Sequence, residues 1–213
     1  MADKTIALLG DLAAHRWGLF TTSDAEAAGV RRKQLTRMAA SGAIERLAQG
    51  VYRMAGSPEH PHQRVLVAWL ALGGHHGSPS SVPPVVAAGE TAADLHGLGD
   101  FFVDELDFIV PKRKGTRVGS IRLRVRTIDR RDVQFVDGVP ALKVERLIAD
   151  LIEIRTDQSL VADVIEQAAS AGKLTSIRKL EKHLAPLARR YGHVPNDGAS
   201  FRAELYDMAG VTT

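Results

Sequence analysis

Cysteine is absent from the 213 residues. That excludes disulfides and thiolate metal sites, and it permits a reducing compartment. Aromatic residues are scarce, at 5%, so aliphatic side chains and alanine must fill the core. No apolar run approaches the roughly 18 residues that a membrane span needs. The opening MADKTIALLGDL carries acids within its first turns and does not read as a signal peptide. The expectation is a cytoplasmic chain without a membrane partner. A large surplus of one charge is missing too. The net charge is +3, so any affinity for nucleic acid must come from how the charge is distributed. Finally, no G-x-x-x-x-G-K-S/T, H-E-x-x-H or G-x-S-x-G occurs. Common sequence grounds for an enzyme are therefore lacking.

What is present concentrates in Thr21 to Met54, TTSDAEAAGVRRKQLTRMAASGAIERLAQGVYRM. Ser23 and Glu26 have the spacing of a capping box that opens a short helix. Gly29 suits a tight turn into a second helix. On that helix Val30, Leu35, Met38 and Ala39 fall on an inward face, and Lys33, Thr36, Arg37 and Ala40 on an outward one, with Arg32 and Gln34 at the flanks. Gly42 stops it. Ala43–Leu47 and Val51–Met54 then read as two short strands joined at Gln49-Gly50. Two helices followed by a ribbon make a winged helix-turn-helix. Cations at the start of the second helix sit where a recognition helix meets base edges and phosphates. The candidate DNA contacts are Arg31, Arg32, Lys33, Gln34, Thr36 and Arg37 on the helix, and Arg46, Gln49 and Arg53 on the wing. The plainer alternative is a helical hairpin with solvated cations.

Before this module, Lys4–Trp17 reads as a helix with Ile6, Leu9, Ala13 and Trp17 on one stripe. After it, Gly56–His62 is the best linker, so the expected division is 1–57 and 58–213. The second part reads as mixed α/β: a helix near His62–Leu72, a small sheet within about 85–136, and a helical tail over about 143–210. The fold class is thus α+β. His60, His62, His75 and His76 have no carboxylate or thiol at ligand spacing, so neither a metal nor another cofactor is expected. His96, at the end of a helix, reads as a capping or core group in preference to a catalytic one. Arg146 and Asp150 read as a surface pair in the weaker i,i+4 order.

The strongest charge feature spans Lys112 to Arg131. Nine cations face one acid, Asp129, which leaves +8 in a chain of net +3. Ile121–Thr127 alternates, with Ile121, Leu123, Val125 and Thr127 expected inward and Arg122, Arg124 and Arg126 outward. Lys112, Arg113, Lys114, Arg117, Arg122, Arg124 and Arg126 are therefore a candidate second basic surface, able to grip phosphates or an acidic protein. A solvated strand face with a loop beside it is the alternative.

The run ending GVYRM, GETAADLHGLG at Gly89–Gly99, ELDFIVP, and GVPALKVERLIADL at Gly138–Leu151 together resemble the AbiEi-type antitoxins of bacterial type IV toxin–antitoxin systems. The resemblance spans nearly the whole chain. In the last segment Leu142 and Leu147 stand where the family has threonine, and Val144 where it has proline. A packing role is expected there. The resemblance implies a repressor that binds inverted repeats in its own operon promoter as double-stranded operator DNA. It implies a second domain that counters a nucleotidyltransferase-fold toxin, with or without direct contact, and helps to place the protein on DNA. It implies no enzyme. Two other readings stand beside it. One is a ligand-sensing winged-helix transcription factor. The other is a nuclease, because Asp104, Glu105 and Asp107 lead into a strand as metal-binding carboxylates do. The Glu-x-Lys that a neighbouring strand should supply is missing.

Overall fold

The computed structural model describes residues 2–75, 78, 80–116 and 118–212. By its contacts the chain falls into two units, Met1–His75 with Gly115–Gly119, and His76–Lys114 with Ser120–Thr213. The architecture is α+β.

The first unit opens with α1 (Ala2–Ala13). Leu9 and Ala13 are buried, but Ile6 and Trp17, expected on the same stripe, are exposed. The helix ends at Ala13, and in the turn that follows Trp17 and Gly18 both take positive φ, 54° and 78°. Next come β1 (Leu19–Thr21), α2 (Thr22–Ala27), α3 (Arg32–Ala40), β2 (Ile44–Ala48) and β3 (Val51–Met54). The strands form an antiparallel sheet in the order β1-β3-β2. The wing is thus three-stranded, since the short extended piece before α2 pairs with β3. That pairing also moves the cap of α2. Thr21, held extended by β1, accepts from the Asp24 amide at 3.1 Å, and the Asp24 carboxylate accepts from the Thr21 amide at 2.9 Å. The capping box is Thr21/Asp24, and the expected Ser23/Glu26 box is not used.

The core of this unit is aliphatic with two rings. Leu9, Ala13, Ala25, Val30, Leu35 and Ile44 pack with Phe20 and Tyr52, whose rings stack at 5.7 Å. Helix α4 (Gln63–Ala71) packs on all three strands through a face that includes Val65, Leu66 and Trp69. The contacts therefore keep α4 with the first unit, and the division falls between His75 and His76, after the linker at Gly56–His62.

The second unit contains β4 (Val86–Ala87), α5 (Gly89–His96), β5 (Leu106–Val110), β6 (Ile121–Val125), β7 (Val133–Val136) and β8 (Val139–Leu142). Its mixed sheet has the order β6-β5-β4-β8-β7. Pairs β4–β5 and β7–β8 are antiparallel, whereas β5–β6 and β4–β8 are parallel. The sheet extends past the expected limit near 136, because Asp137-Gly138 closes a two-residue hairpin with φ of 47° and 82°. Asp-Gly is a favoured pair for a turn in which both residues need positive φ. The tail follows as α6 (Val144–Glu153), α7 (Gln158–Ser170), α8 (Ile177–Leu184) and α9 (Gly198–Met208). Helix α6 touches α5, α7 and α8, and eight of its ten residues are buried. Leu142, Val144 and Leu147 are among the buried side chains, in packing roles.

Strand β6 departs from its expected alternation. Arg124 has a side chain only 12% exposed, whereas Val125 is 47% exposed. Carboxylates gathered beneath Arg124 account for the reversal. Among the described residues, no helix is long and apolar enough to cross a membrane.

Candidate nucleic-acid interface

Helices α2 and α3 meet at a turn in which Gly29 has φ 85° and the Val30 amide donates to the Ala25 carbonyl at 2.8 Å. Burial of Val30 and Leu35 sets the roll of α3. Arg31, Arg32, Lys33, Thr36, Arg37 and Ala40 are exposed; of these Lys33, Thr36, Arg37 and Ala40 are the set that helical spacing places outward, with Arg32 at its flank. Their surroundings differ. Arg31, Lys33 and Arg37 make no ion pair among the described residues. Arg32 is gripped by Glu26 of α2, with Nε to Oε1 at 2.8 Å and Nη2 to Oε2 at 3.4 Å. The Thr36 hydroxyl donates to the Arg32 carbonyl at 3.1 Å. The Gln34 side-chain oxygen accepts from the Arg31 amide at 2.9 Å. Gln34 therefore caps its own helix, and in this conformation its side-chain oxygen is already engaged and not held out to a base.

On the wing, Arg46 and Gln49 are exposed. Together with Thr22, Arg32 and Thr36 they line one groove beside α3. Arg53 does not join them. Its side chain is 11% exposed and donates to Glu45 at 2.6 Å, Gln63 at 2.9 Å and Glu59 at 3.2 Å. It clamps β3 to β2 and to the start of α4. The reading of Arg53 as a phosphate contact is corrected on that ground: its donors are engaged inside the fold.

The basic segment also divides. Arg122 pairs with Glu105 at 2.9 Å and Arg126 with Glu153 at 3.5 Å. The Arg124 guanidinium lies between Asp107, 2.9 Å from its Nε, and Asp150, 2.9 and 2.5 Å from its two Nη atoms. The side chains of Asp107 and Asp150 are 7% and 0% exposed. The strand arginines are therefore not an open comb, because each meets a carboxylate from β5, its leading residue, or α6. Lys112, Arg113 and Lys114 are exposed; Arg117 lies outside the described residues. Asp150 is fully buried and not on a surface, and Arg146 reaches it only at 3.9 Å while approaching Glu153 to 3.3 Å. Burial works against charge on Arg124, but the two carboxylates outweigh it and raise its pKa. Burial pushes the Asp107 carboxyl up, with Arg124 pulling the other way. Both directions follow from one poorly solvated site. The guanidinium keeps its charge.

GETAADLHGLG turns out to be the clasp of this unit. The Gly89 amide donates to Asp150 at 3.0 Å with φ 52°, and a Cβ there would meet Asp107 Oδ2 at 2.7 Å. The Thr91 hydroxyl accepts from the Asp107 amide at 2.8 Å. His96 Nε2 lies 2.8 Å from the Leu142 carbonyl and so carries the proton that it donates. Burial holds its pKa below the ordinary histidine value. Gly97, in the left-handed region, ends α5, and the Gly99 amide donates to Gln167 at 2.7 Å. Sequence reasoning missed a second anchor, Glu145. It is 3% exposed and accepts from the Thr175 amide and hydroxyl and the Ser176 amide at 2.8–2.9 Å. An acid inside an apolar stripe was the available signal. Among the described residues, no three His, Asp or Glu side chains gather as a metal site would need.

Residues 8–55 match the family model described as "Transcriptional regulator, AbiEi antitoxin". Residues 85–191 match the model described as "AbiEi antitoxin C-terminal domain". The edges of the two models leave the linker, α4 and the loop after it uncovered. No curated protein matches the chain. Among solved structures, the RV2827C protein from Mycobacterium tuberculosis shares the fold, with a TM-score of 0.57 and 17% identity over 99% of this chain and 77% of that one.

Proposed function

The chain belongs to the AbiEi antitoxin family, and on that premise we propose that it represses its own toxin–antitoxin operon by laying α3 in the major groove of double-stranded operator DNA. The observation that carries this reading is the outward row of α3. Arg32, Lys33 and Arg37 stand exposed on the helix that follows the tight turn, with Arg31 exposed at its N-cap, and Arg46 and Gln49 stand exposed on the wing beside it. Helix residues reach base edges in such an arrangement, and wing residues reach phosphates. The second unit counters a nucleotidyltransferase-fold toxin, and no catalytic step is assigned to this chain. A nuclease reading loses support because Glu105 and Asp107 are already engaged by Arg122 and Arg124.

Fluorescence anisotropy tests the DNA half of this proposal. A duplex from immediately upstream of the protein's own coding sequence should bind more tightly than a base-shuffled duplex of the same length. Equal affinity at every salt concentration would contradict operator recognition. Co-expression with a growth-arresting nucleotidyltransferase-fold toxin tests the other half, with restored growth as the expected result and unrelieved arrest as the contrary one.

A further inference from the structure

We propose that Glu26 is a positioning residue that fixes the Arg32 guanidinium for base readout, an inference that rests on the reading of α3 as the DNA-reading helix. Arg32 is the first residue of α3, and Glu26 lies in the last turn of α2. Glu26 approaches the guanidinium from the side, taking Nε at 2.8 Å and Nη2 at 3.4 Å. Five N–H donors radiate from a guanidinium in a fixed plane. A side-on carboxylate takes the Nε hydrogen and one Nη2 hydrogen, and leaves the end formed by Nη1 and the second Nη2 hydrogen. That free end is the one that grips guanine O6 and N7 in a bidentate contact.

The pair is poorly suited to a purely structural task. The Arg32 side chain is 76% exposed and that of Glu26 is 43% exposed, and exposed pairs of this kind contribute little to stability. What the pair does achieve is restraint of a long side chain that would otherwise lose its rotamer freedom on binding. Lys33 and Arg37 on the same helix, and Arg31 at its N-cap, have no such carboxylate among the described residues. Arg32 is thus set apart as the reader whose orientation is fixed before DNA arrives, a restraint that its exposed neighbours lack.

Charge alone predicts the opposite effect, which makes the inference testable by sign. Glu26 places a negative charge on the surface that faces the phosphates. On simple electrostatics its removal strengthens binding to any duplex. If Glu26 orients Arg32, Glu26→Ala instead weakens binding to the upstream duplex, leaves binding to the shuffled duplex unchanged or stronger, and lowers the ratio of the two affinities about tenfold. Glu26→Gln retains an oxygen that accepts from Nε and should recover part of that ratio. In an Arg32→Ala background, Glu26→Ala should cause no further loss, because the two residues act as one unit.

The four proteins, wild type, E26A, E26Q and R32A, together with the R32A/E26A double variant, are compared by anisotropy on both duplexes. A wild-type preference that vanishes in R32A but survives in E26A overturns the inference and leaves the reading of α3 intact. A loss in E26A that adds fully to that of R32A also overturns it. Equal wild-type affinity for the two duplexes overturns the operator reading, and this inference with it.

Discussion

Arg124 of β6 and Asp150 of α6 form a bidentate pair, with Nη1–Oδ1 at 2.9 Å and Nη2–Oδ2 at 2.5 Å, and Asp150 has no exposed surface. The pair ties an edge strand of the sheet to the central helix of the tail. Asp107 on β5 accepts from the same guanidinium, and the Gly89 amide donates to the same Asp150 oxygen. Removing one member leaves charges buried and uncompensated, which typically costs about 3–5 kcal/mol. Arg124→Ala is therefore expected to lower the urea midpoint by an amount equivalent to about 3–5 kcal/mol. Arg122→Ala, whose pair with Glu105 is about half exposed on both sides, should cost no more than about 1 kcal/mol. Equal effects would show that the buried triad does not hold the second unit together.

His96 gives the second unit a defined response to pH. Burial depresses its pKa, and the hydrogen bond to Leu142 and the charge of Glu145 pull against that while Lys173 reinforces it. The unfolded chain therefore binds the proton more tightly than the folded one. The stabilisation is complete above the unfolded value of about 6.5 and is lost as pH falls below it toward the depressed folded value. His96→Gln keeps a donor for the Leu142 carbonyl but does not titrate. The difference in unfolding free energy between wild type and His96→Gln should shift against the wild type between pH 7 and pH 5. A difference that stays flat across that range would refute the burial account of His96.

Arg53 and Arg46 look alike in the sequence and are separated by the fold. Arg46→Ala is expected to reduce the slope of log affinity against log salt by about 0.9, the share of one released counterion at a phosphate. Arg53→Ala should leave that slope unchanged while lowering the melting temperature, since its partners are Glu45, Glu59 and Gln63. A drop in slope for Arg53→Ala, at full stability, would restore it as a phosphate contact.

These contrasts show which features the sequence carried. The roll of α3 was legible because Val30, Leu35, Met38 and Ala39 recur at helical spacing, and burial then leaves Lys33 and Arg37 outside. The roles of Arg53 and Arg124 were not legible, because a cation's burial depends on acids distant in sequence. Glu59 and Gln63 reach Arg53 from the linker and α4, and Asp150 reaches Arg124 from α6. Alternation along β6 suggested an outward arginine face because the pattern records polarity and not pairing. The β7–β8 hairpin was announced by Asp137-Gly138 between apolar segments, a signal that the helical pattern after it obscured. Glu26 was first visible only as a capping residue. Its approach to Arg32 depends on the angle between two helices, which no spacing within one helix encodes.

The central claim is that the outward face of α3 selects the operator. Its most direct test is the ratio of affinities for the upstream and shuffled duplexes, measured for the wild type and for the Arg32→Ala/Lys33→Ala/Arg37→Ala variant, with circular dichroism to confirm folding. All three side chains are exposed, so the variant should fold as the wild type does. Each base-edge contact contributes about 1–3 kcal/mol of discrimination, and the account predicts that the variant binds both duplexes alike. A folded triple variant that still prefers the upstream duplex by the wild-type ratio would contradict it.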